Sequence, residues 1–410
     1  MTHPVARPQS RIVALDLVRG VAVLGILAIN AAGFAGPIMA TLTPQVPHPA
    51  TLADEAWFAL TFLLFEGKMR ALFSLLFGAS MLLFIERAEA AGQDGERLQI
   101  RRLGWLALFG YLHFLLLWWG DILFTYALAG LSALAFRGAS TRTLAASGLA
   151  IFAAWHLLLA GGGAAETWRE ERVLAHAASP ADVAAYRKAE ARVDADTAAE
   201  MATYHLGFTA QIARKLREDP AEPVSSALGT LGETLPLMLL GMALYRSGFF
   251  AGGWPDAALR RLARTGIGLG GALTLALLAW SWHRHFPPVR MMLVVSSLGA
   301  PPHLLMALGY AAALVLAAPR LVATALGRRL VATGRMAFSN YIACTLGMTF
   351  LCYGWGLDLV GRVPPRAQGL FVLGGWALML GWSAPWLARF RQGPLEWAWR
   401  SLTVWRRLSF

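Results

Sequence analysis

The sequence predicts an all-α, polytopic membrane protein built as one continuous helical bundle, and three observations support this prediction. Hydrophobic residues make up 57% of the 410 residues and charged residues only 15%, whereas soluble proteins usually carry about 25% charge. Several apolar runs are close to the length of about 20 residues that crosses a bilayer as a helix. Basic residues cluster in the short segments between these runs. We therefore expect about ten transmembrane helices.

Each predicted span is an apolar run with charged or turn-forming residues at its ends. The spans cover approximately residues 14–34, 69–86, 102–119, 122–137, 142–160, 229–246, 264–282, 301–318, 336–353 and 369–388. Arginine and lysine concentrate in alternate connections, so the positive-inside rule predicts a bacterial inner (plasma) membrane protein with both termini in the cytoplasm. The run 54–66 is too short to span, and it predicts an interfacial or re-entrant helix that leads into the second span through Gly67.

One long polar stretch, residues 161–228, separates an N-terminal transmembrane half (1–160) from a C-terminal half (229–410). Its opening glycine triplet, residues 161–163, predicts a break in the chain. The mixed charges that follow are typical of amphipathic helices with a solvated face. We expect this stretch to form a helical cap or lid on the periplasmic side.

The net charge of +12 alone is typical of proteins that bind nucleic acid, but the position of the charges argues against that class. Because the basic residues flank apolar runs, the expected partners are anionic membrane lipids. The sequence has no phosphate loop and no paired cysteines for zinc. No metal site is expected at His48, His283 or His285, since no cluster of carboxylates or cysteines accompanies them.

The first span carries polar residues at membrane depth. Asp16 and Arg19 are three residues apart, so they lie on one helix face and can pair. A charge at the bilayer centre costs about 2.5–3.5 kcal/mol and therefore usually faces a protein interior or a wet cavity. The pair either fixes the depth of the helix or, with Asn30, lines a polar substrate site.

Two further polar groups are candidates. Glu66, Lys68 and Arg70, at the start of the second span, either bind an anionic group or anchor the helix at the headgroups. His113 lies within the third span, where a histidine is a functional candidate or a satisfied core residue. Asp121 either caps the next helix or orients a histidine for general base catalysis, although eight residues along one helix predict no direct contact with His113.

The last candidates lie near the C-terminus. The ninth span opens with polar residues that either contact a substrate or hold helices together. These residues are Arg335, Ser339, Asn340 and Tyr341. After the last span, Trp397 and Trp399 beside Arg400 predict an amphipathic interfacial anchor.

Five ordered motifs together resemble the YeiB-type family of bacterial inner-membrane proteins, whose C-terminal half is known as a domain of unknown function. The motifs are LDLVRGVAVLGILAIN, EGKMRALFSLLFGAS, GDILFTYALAGL, GRMAFSNY and FRQGPLEWAWRSLT. The resemblance covers nearly the whole chain except residues 161–228. It implies a multi-pass membrane protein.

A more distant resemblance implies a reaction. The opening L-D-x-x-R-G is similar to the first helix of transmembrane acyltransferases, which include sugar O-acyltransferases and the heparan glucosaminide N-acetyltransferase branch. These enzymes move an acyl group from cytosolic acyl-CoA to an acceptor across the membrane. In the O-acyltransferases a histidine follows the arginine by eleven positions, where this chain has Asn30. The glucosaminide branch is similar in having asparagine there and its base in the following loop, where His48 is the histidine of this chain.

The leading functional hypothesis is therefore acyl transfer from acyl-CoA to an envelope glycan or lipid, without a permanently bound cofactor. His113 or His48 is the expected base, with Asp16, Arg19 and Asn30 shaping the site. The alternative is a transporter or flippase for a small anionic metabolite or lipid, since intramembrane charges and short helices suit that class as well. A binding or sensing protein without turnover is a third hypothesis, and the sequence is compatible with a homo-oligomer.

Overall fold

A computed structural model describes residues 12–410, which fold into sixteen α-helices joined by turns and loops. Arg7 and Arg11, which contribute to the predicted charge bias, lie outside these residues. The helices are α1 (Val13–Ala35), α2 (Leu52–Leu64), α3 (Lys68–Ala90), α4 (Gly95–Leu116), α5 (Leu123–Leu134), α6 (Thr141–Leu174), α7 (Pro180–Tyr204), α8 (Phe208–Glu218), α9 (Glu222–Arg246), α10 (Asp256–Trp282), α11 (Pro288–Leu293), α12 (Ala300–Leu321), α13 (Ala325–Arg335), α14 (Ala337–Cys352), α15 (Pro365–Arg389) and α16 (Pro394–Val404).

The all-α membrane architecture predicted from the sequence is confirmed. Within residues 12–410, seven helical segments are long and apolar enough to cross a membrane. Every predicted span coincides with a helix. The helices α4, α5 and α14 match predicted spans but are too short or too polar to meet these criteria, so the count of ten crossings stays a prediction.

Helix α1 is the centre of the bundle, because it packs against α3, α12, α13, α14 and α15. Two glycines allow its closest contact, with α13. A Cβ atom at Gly20 would lie 2.0 Å from the carbonyl oxygen of Leu330, and one at Gly334 would lie 1.9 Å from that of Asp16. Small residues that let backbones approach are a common way to join membrane helices. The glycine of the L-D-x-x-R-G motif is thus a packing residue.

Two junctions between helices agree with the predicted boundaries. The short helix predicted at 54–66 is α2, and Gly67, with φ of +70°, turns the chain directly from it into α3. A positive φ costs glycine little because it has no Cβ atom. The predicted ninth span, 336–353, corresponds to α14, and the junction between α13 and α14 falls at Met336.

The glycine triplet does not break the chain, and that prediction is wrong. α6 runs unbroken for 34 residues, or about 51 Å at a rise of about 1.5 Å per residue, well beyond a bilayer core. A glycine in a helix costs only about 0.5–1 kcal/mol relative to alanine. The far part of α6 compensates by docking, because the backbone N–H groups of Val289 and Arg290 donate to the Glu170 carboxylate at 3.1 and 2.7 Å.

The polar segment after α6 folds back as α7 and α8 and docks on the bundle. The rings of Tyr204 and Tyr353 stack with centroids 4.7 Å apart, and the backbone N–H of Ile38 donates to Glu200 at 2.9 Å. Burial raises the pKa of the Glu200 carboxyl group. We call the end of α6 (residues 161–174), α7 and α8 the cap.

Candidate active site

A histidine and a carboxylate pair inside the bundle. Nδ1 of His113 lies 2.9 Å from Oδ1 of Asp121, and both side chains are almost fully buried. The prediction that eight residues would keep them apart is wrong, because α4 ends at Leu116 and the chain folds back before α5 begins. Asp121 also caps α5, since its Oδ2 accepts from the Phe124 N–H at 2.7 Å.

The second nitrogen of the same ring contacts a hydroxyl group. Nε2 of His113 lies 3.1 Å from Oγ1 of Thr345 on α14. Because a carboxylate only accepts hydrogen bonds, Asp121 places the proton of a neutral imidazole on Nδ1 and leaves Nε2 free to accept. Thr345 is then the donor to Nε2, and carboxylate, imidazole and hydroxyl form one chain. In chemical terms this is a hydroxyl group beside an oriented base.

A small cavity lies beside Thr345, between α1 and α14. Apolar side chains of α1 form most of its wall, and its polar residues include Asn30, Tyr341 and Thr345. The Tyr341 ring lies 5.0 Å from the His113 ring, centroid to centroid. Within residues 12–410 the side chain of Asn30 makes no hydrogen bond, which leaves its amide available to a ligand. The structure therefore brings together Asn30, Tyr341, His113 and Asp121 from the predicted set.

The cap reaches the end of α4 next to His113. Nζ of Lys215 on α8 donates to the carbonyl oxygen of Phe114 at 2.6 Å and lies 5.2 Å from the centre of the Phe114 ring. Burial lowers the pKa of the Lys215 ammonium group to about 8. The cap thus rests directly on the helix that carries the histidine.

Arginines cluster near the N-terminal part of α1, at the other end of the helix from Asn30. Arg19 donates to Asp16 at 3.1 Å and to the hydroxyl of Ser80 at 2.6 Å, so the predicted ion pair is present. The Arg102 guanidinium lies 4.3 Å from the centre of the Trp399 ring and within electrostatic range of Arg19 and another arginine, Arg400. No carboxylate among residues 12–410 forms an ion pair with Arg102.

The charged group at the start of α3 forms a separate site. Lys68 is fully buried and donates to the carbonyl oxygen of Phe62 at 2.8 Å. Arg70 pairs with Glu233 at 3.0 Å and more weakly with Glu66 at 3.9 Å. Arg70 and Glu233 line a different small cavity from the one beside Thr345. The structure therefore does not bring Glu66, Lys68 and Arg70 to His113.

This second site contains residues that the sequence pattern did not indicate. His303 lines the cavity with Arg70 and Glu233, and its Nε2 is buried without a hydrogen-bond partner among residues 12–410. A short π-helix, Val294–Leu298, borders the cavity. π-Helical turns are frequent at functional sites, but they have no signature in a single sequence.

The polar residues at the start of α14 connect helices. Ser339 donates to the Glu396 carboxylate at 2.5 Å. The Asn340 amide donates to the Thr333 carbonyl and the Ser383 hydroxyl, both at 3.1 Å, and accepts from Trp382 at 2.7 Å. A guanidinium N–H of Arg335 donates to the backbone carbonyl of Arg391 at 3.0 Å. These contacts join α13, α14, α15 and α16. Burial raises the pKa of the Glu396 carboxyl group.

Three other histidines considered as bases or metal ligands lie away from the His113–Asp121 pair. His48 is exposed between α1 and α2, and it makes no hydrogen bond or ion pair with residues 12–410. His285 lies 2.7 Å from the Glu55 carboxylate. His283 is exposed at the end of α10. The buried pair at His113 is thus the stronger candidate for a base.

Comparisons with known proteins agree on the family and give no activity. Residues 244–406 match the family described as "Protein of unknown function (DUF418)". The chain is 32% identical to "Uncharacterized protein YeiB" of Escherichia coli (strain K12), over 97% of each chain. It is 31% identical to "Uncharacterized protein YxaH" of Bacillus subtilis (strain 168), over 96% of this chain and 94% of the relative. No solved structure gives a significant match.

Proposed function

This chain belongs to the YeiB family of membrane proteins, and from that premise we propose that it transfers an acyl group from a cytosolic acyl-CoA to an envelope glycan or lipid. His113 acts as the general base, and Asp121 holds its ring. No cofactor stays bound, because acyl-CoA is the donor substrate.

The single observation that carries this proposal is the hydrogen-bond chain Asp121–His113–Thr345, which ends at the cavity beside Asn30. Acyl transfer to a hydroxyl or amine requires a base that removes a proton as the new bond forms. Among the acyltransferases that this chain resembles, the O-acyltransferases carry a histidine where Asn30 stands. Here α4 supplies a histidine that contacts two residues of the cavity wall, Thr345 and Tyr341.

The arginines at the far end of α1 support a phosphate-bearing donor. Guanidinium groups bind phosphate oxygens through paired hydrogen bonds, and Arg102 has no carboxylate partner among residues 12–410 to compete for it. Asn30 lies about 16 Å from Arg19 along α1, at about 1.5 Å per residue. A donor with its phosphates at Arg19 and Arg102 therefore needs a long flexible arm to bring its acyl group to His113, and CoA has one.

Placing the CoA phosphates at these arginines also predicts how the protein is oriented in the membrane. With the arginine-rich end in the cytoplasm, both termini are cytoplasmic and the cap lies in the periplasm of a bacterial inner-membrane protein. Single cysteines at Glu190 in α7 and Ala257 in α10 test this with an impermeant thiol reagent on intact cells. Labelling at 190 alone is expected, and labelling at 257 alone would reverse the topology.

Turnover tests the reaction itself. The purified protein is incubated with acetyl-CoA labelled in the acetyl group and with an extract of bacterial envelope lipids and glycans. We expect release of CoA together with transfer of label into the extract. An intact protein that releases no CoA and transfers no label is not an acyltransferase for this donor class.

The buried charges around Lys68 favour transport as a second candidate. Lys68 is fully buried near the Arg70–Glu233 pair, and Nε2 of His303 has no hydrogen-bond partner among residues 12–410. Buried charges of this kind are typical of intramembrane sites that handle ions or anionic solutes. Vesicles that contain the protein separate the two functions. A transporter moves a labelled anionic metabolite across the vesicle membrane without releasing CoA from acyl-CoA.

A further inference from the structure

We propose that Thr345 carries the acyl group as a covalent ester during transfer, so that the reaction proceeds in two half-reactions rather than by direct attack of the acceptor. This inference rests on the proposed acyl-transfer function and names the nucleophile of the same site. The observation behind it is the contact between the Thr345 hydroxyl and the buried, oriented imidazole of His113.

The geometry meets the requirements for an activated hydroxyl nucleophile. Such a site needs a hydroxyl within hydrogen-bond reach of a base and a third group that orients the base. Thr345 Oγ1 lies 3.1 Å from His113 Nε2, and Asp121 Oδ1 lies 2.9 Å from Nδ1. The three residues come from α14, α4 and the turn before α5, so the arrangement depends on the tertiary fold rather than on one helix.

Thr345 lines a small cavity whose wall is formed largely by Val23, Leu27 and Phe34. The cavity has room for about one water molecule. An acetyl group on Thr345 therefore requires these apolar side chains to move apart. The free amide of Asn30 lines the same cavity and can donate to the negative charge that develops on the carbonyl oxygen.

Nε2 has no other side-chain partner among residues 12–410. A proton that His113 removes in this state therefore comes from Thr345, unless a substrate displaces the threonine. The single hydroxyl proton of Thr345 has two acceptors within reach, His113 Nε2 at 3.1 Å and the Tyr341 carbonyl oxygen at 3.2 Å. The two hydrogen bonds compete, and the proposed reaction starts from the state in which the proton points at Nε2.

Each half-reaction balances. In the first, Thr345 gives its hydroxyl proton to Nε2 and attacks the thioester carbonyl carbon. A C–O bond forms, the C–S bond breaks, and the CoA thiolate leaves with the proton from Nε2. In the second, an acceptor hydroxyl gives its proton to Nε2 and attacks the ester. A new C–O bond forms, the bond to Thr345 Oγ1 breaks, and that oxygen takes the proton back.

The experiment uses the full-length protein in detergent with acetyl-CoA and no acceptor. We expect the intact mass to increase by one acetyl group, and the modified peptide to be the part of α14 that contains Thr345. The ester should survive neutral hydroxylamine, whereas a thioester on Cys344 or Cys352 would be cleaved. A label on either cysteine would overturn the assignment.

Three variants on α14 complete the test. Thr345→Val keeps the shape of the side chain but should abolish the adduct and lower turnover by at least about 10²-fold, the lower range for general base catalysis. Thr345→Ser should restore both. Thr349→Val is the matched control, because Thr349 is also fully buried, one turn further on. Among residues 12–410 its hydroxyl donates only to backbone carbonyls of α14. It should behave as wild type.

The two possible failures are distinguishable. The covalent step is refuted if the wild type forms no adduct and Thr345→Val turns over acetyl-CoA as fast as Thr349→Val. Acyl transfer as such would then still stand. A wild-type protein with neither turnover nor adduct would contradict both proposals.

Discussion

Nδ1 of His113 lies 2.9 Å from Oδ1 of Asp121, although eight residues separate them and α4 ends between them. A buried carboxylate that holds an imidazole fixes which ring nitrogen carries the proton. In this protein it leaves Nε2 facing Thr345 and the cavity beside Asn30. The chemistry proposed for the protein depends on this orientation.

Asp121→Asn tests Asp121 as a positioning residue. Asparagine still caps a helix, so α5 should keep its start. Its amide can donate to Nδ1, which favours the tautomer with the proton on Nε2 and prevents that nitrogen from accepting. We expect kcat to fall by about 10²–10⁴-fold with an altered pH–rate profile and an unchanged gel-filtration profile. Asp358→Asn, which alters the exposed contact with His205, is the control. An unaltered pH–rate profile in Asp121→Asn would contradict the assigned role.

Arg19 and Asp16 should show coupling in a double-mutant cycle. Arg19→Ala leaves the Asp16 carboxylate without its arginine partner at membrane depth. For a fully buried pair such a loss costs about 3–5 kcal/mol, and somewhat less is expected here because a quarter of the Arg19 side chain is exposed. Thermal stability in detergent should therefore be lower for Arg19→Ala than for the double variant Asp16→Ala/Arg19→Ala. Additive losses would mean that the pair contributes no coupling.

Gly334→Ala should separate α1 from α13. The new Cβ atom would lie 1.9 Å from the Asp16 carbonyl oxygen, and this backbone atom cannot turn away as a side chain can. Overpacking of this kind typically costs about 1–3 kcal/mol. Gly347→Ala on α14 is the matched control, since no heavy atom lies within 4 Å of its Cβ position. Equal melting temperatures for the two variants would contradict the close packing.

Some of these structural features can be predicted from a single sequence, and others cannot. The helices were predictable because each apolar run is long and ends in charged or turn-forming residues, and the pair Asp16–Arg19 was predictable from its spacing on one helix. The continuity of α6 through residues 161–163 was not, because docking of Glu170 on a distant backbone segment stabilises the helix beyond the triplet.

The candidate site was only partly predictable for the same reason. His113 and Asn30 stand out as polar residues in apolar runs. Thr345 does not, because a threonine in a membrane helix is ordinary and only the fold brings it to His113 from 232 residues away. Glu233, His303 and Glu396 were likewise missed, since their partners lie on other helices.

Docking of the cap should depend on pH through Lys215. The pKa of its ammonium group is about 8 in the folded protein, whereas that of a free lysine side chain is 10.5. Between these two pKa values the undocked lysine binds more protons than the docked one. The docked state therefore becomes more stable relative to the undocked state as the pH rises through this interval. We expect hydrogen exchange in α8 to show tighter docking as pH increases from about 8 to about 10.5.

The matched variant for this effect is Lys215→Met, which keeps an apolar stem without a titrating group. Other ionisable side chains, among them Glu200 and Tyr204, lie at the same surface. The difference between wild type and Lys215→Met therefore isolates the lysine. A wild-type protein whose α8 exchanges with the same pH dependence as the variant would exclude Lys215 as the cause.

The base is the central element of the account, and His113→Ala tests it most directly. Turnover of labelled acetyl-CoA and the gel-filtration profile are measured on the same preparation, with the exposed His283→Ala as control and His48→Ala as the test of the other candidate. We predict a monodisperse His113→Ala protein whose turnover per folded molecule is lower by about 10²–10⁴-fold, while both other variants keep wild-type turnover. A monodisperse, fully active His113→Ala protein would contradict the account.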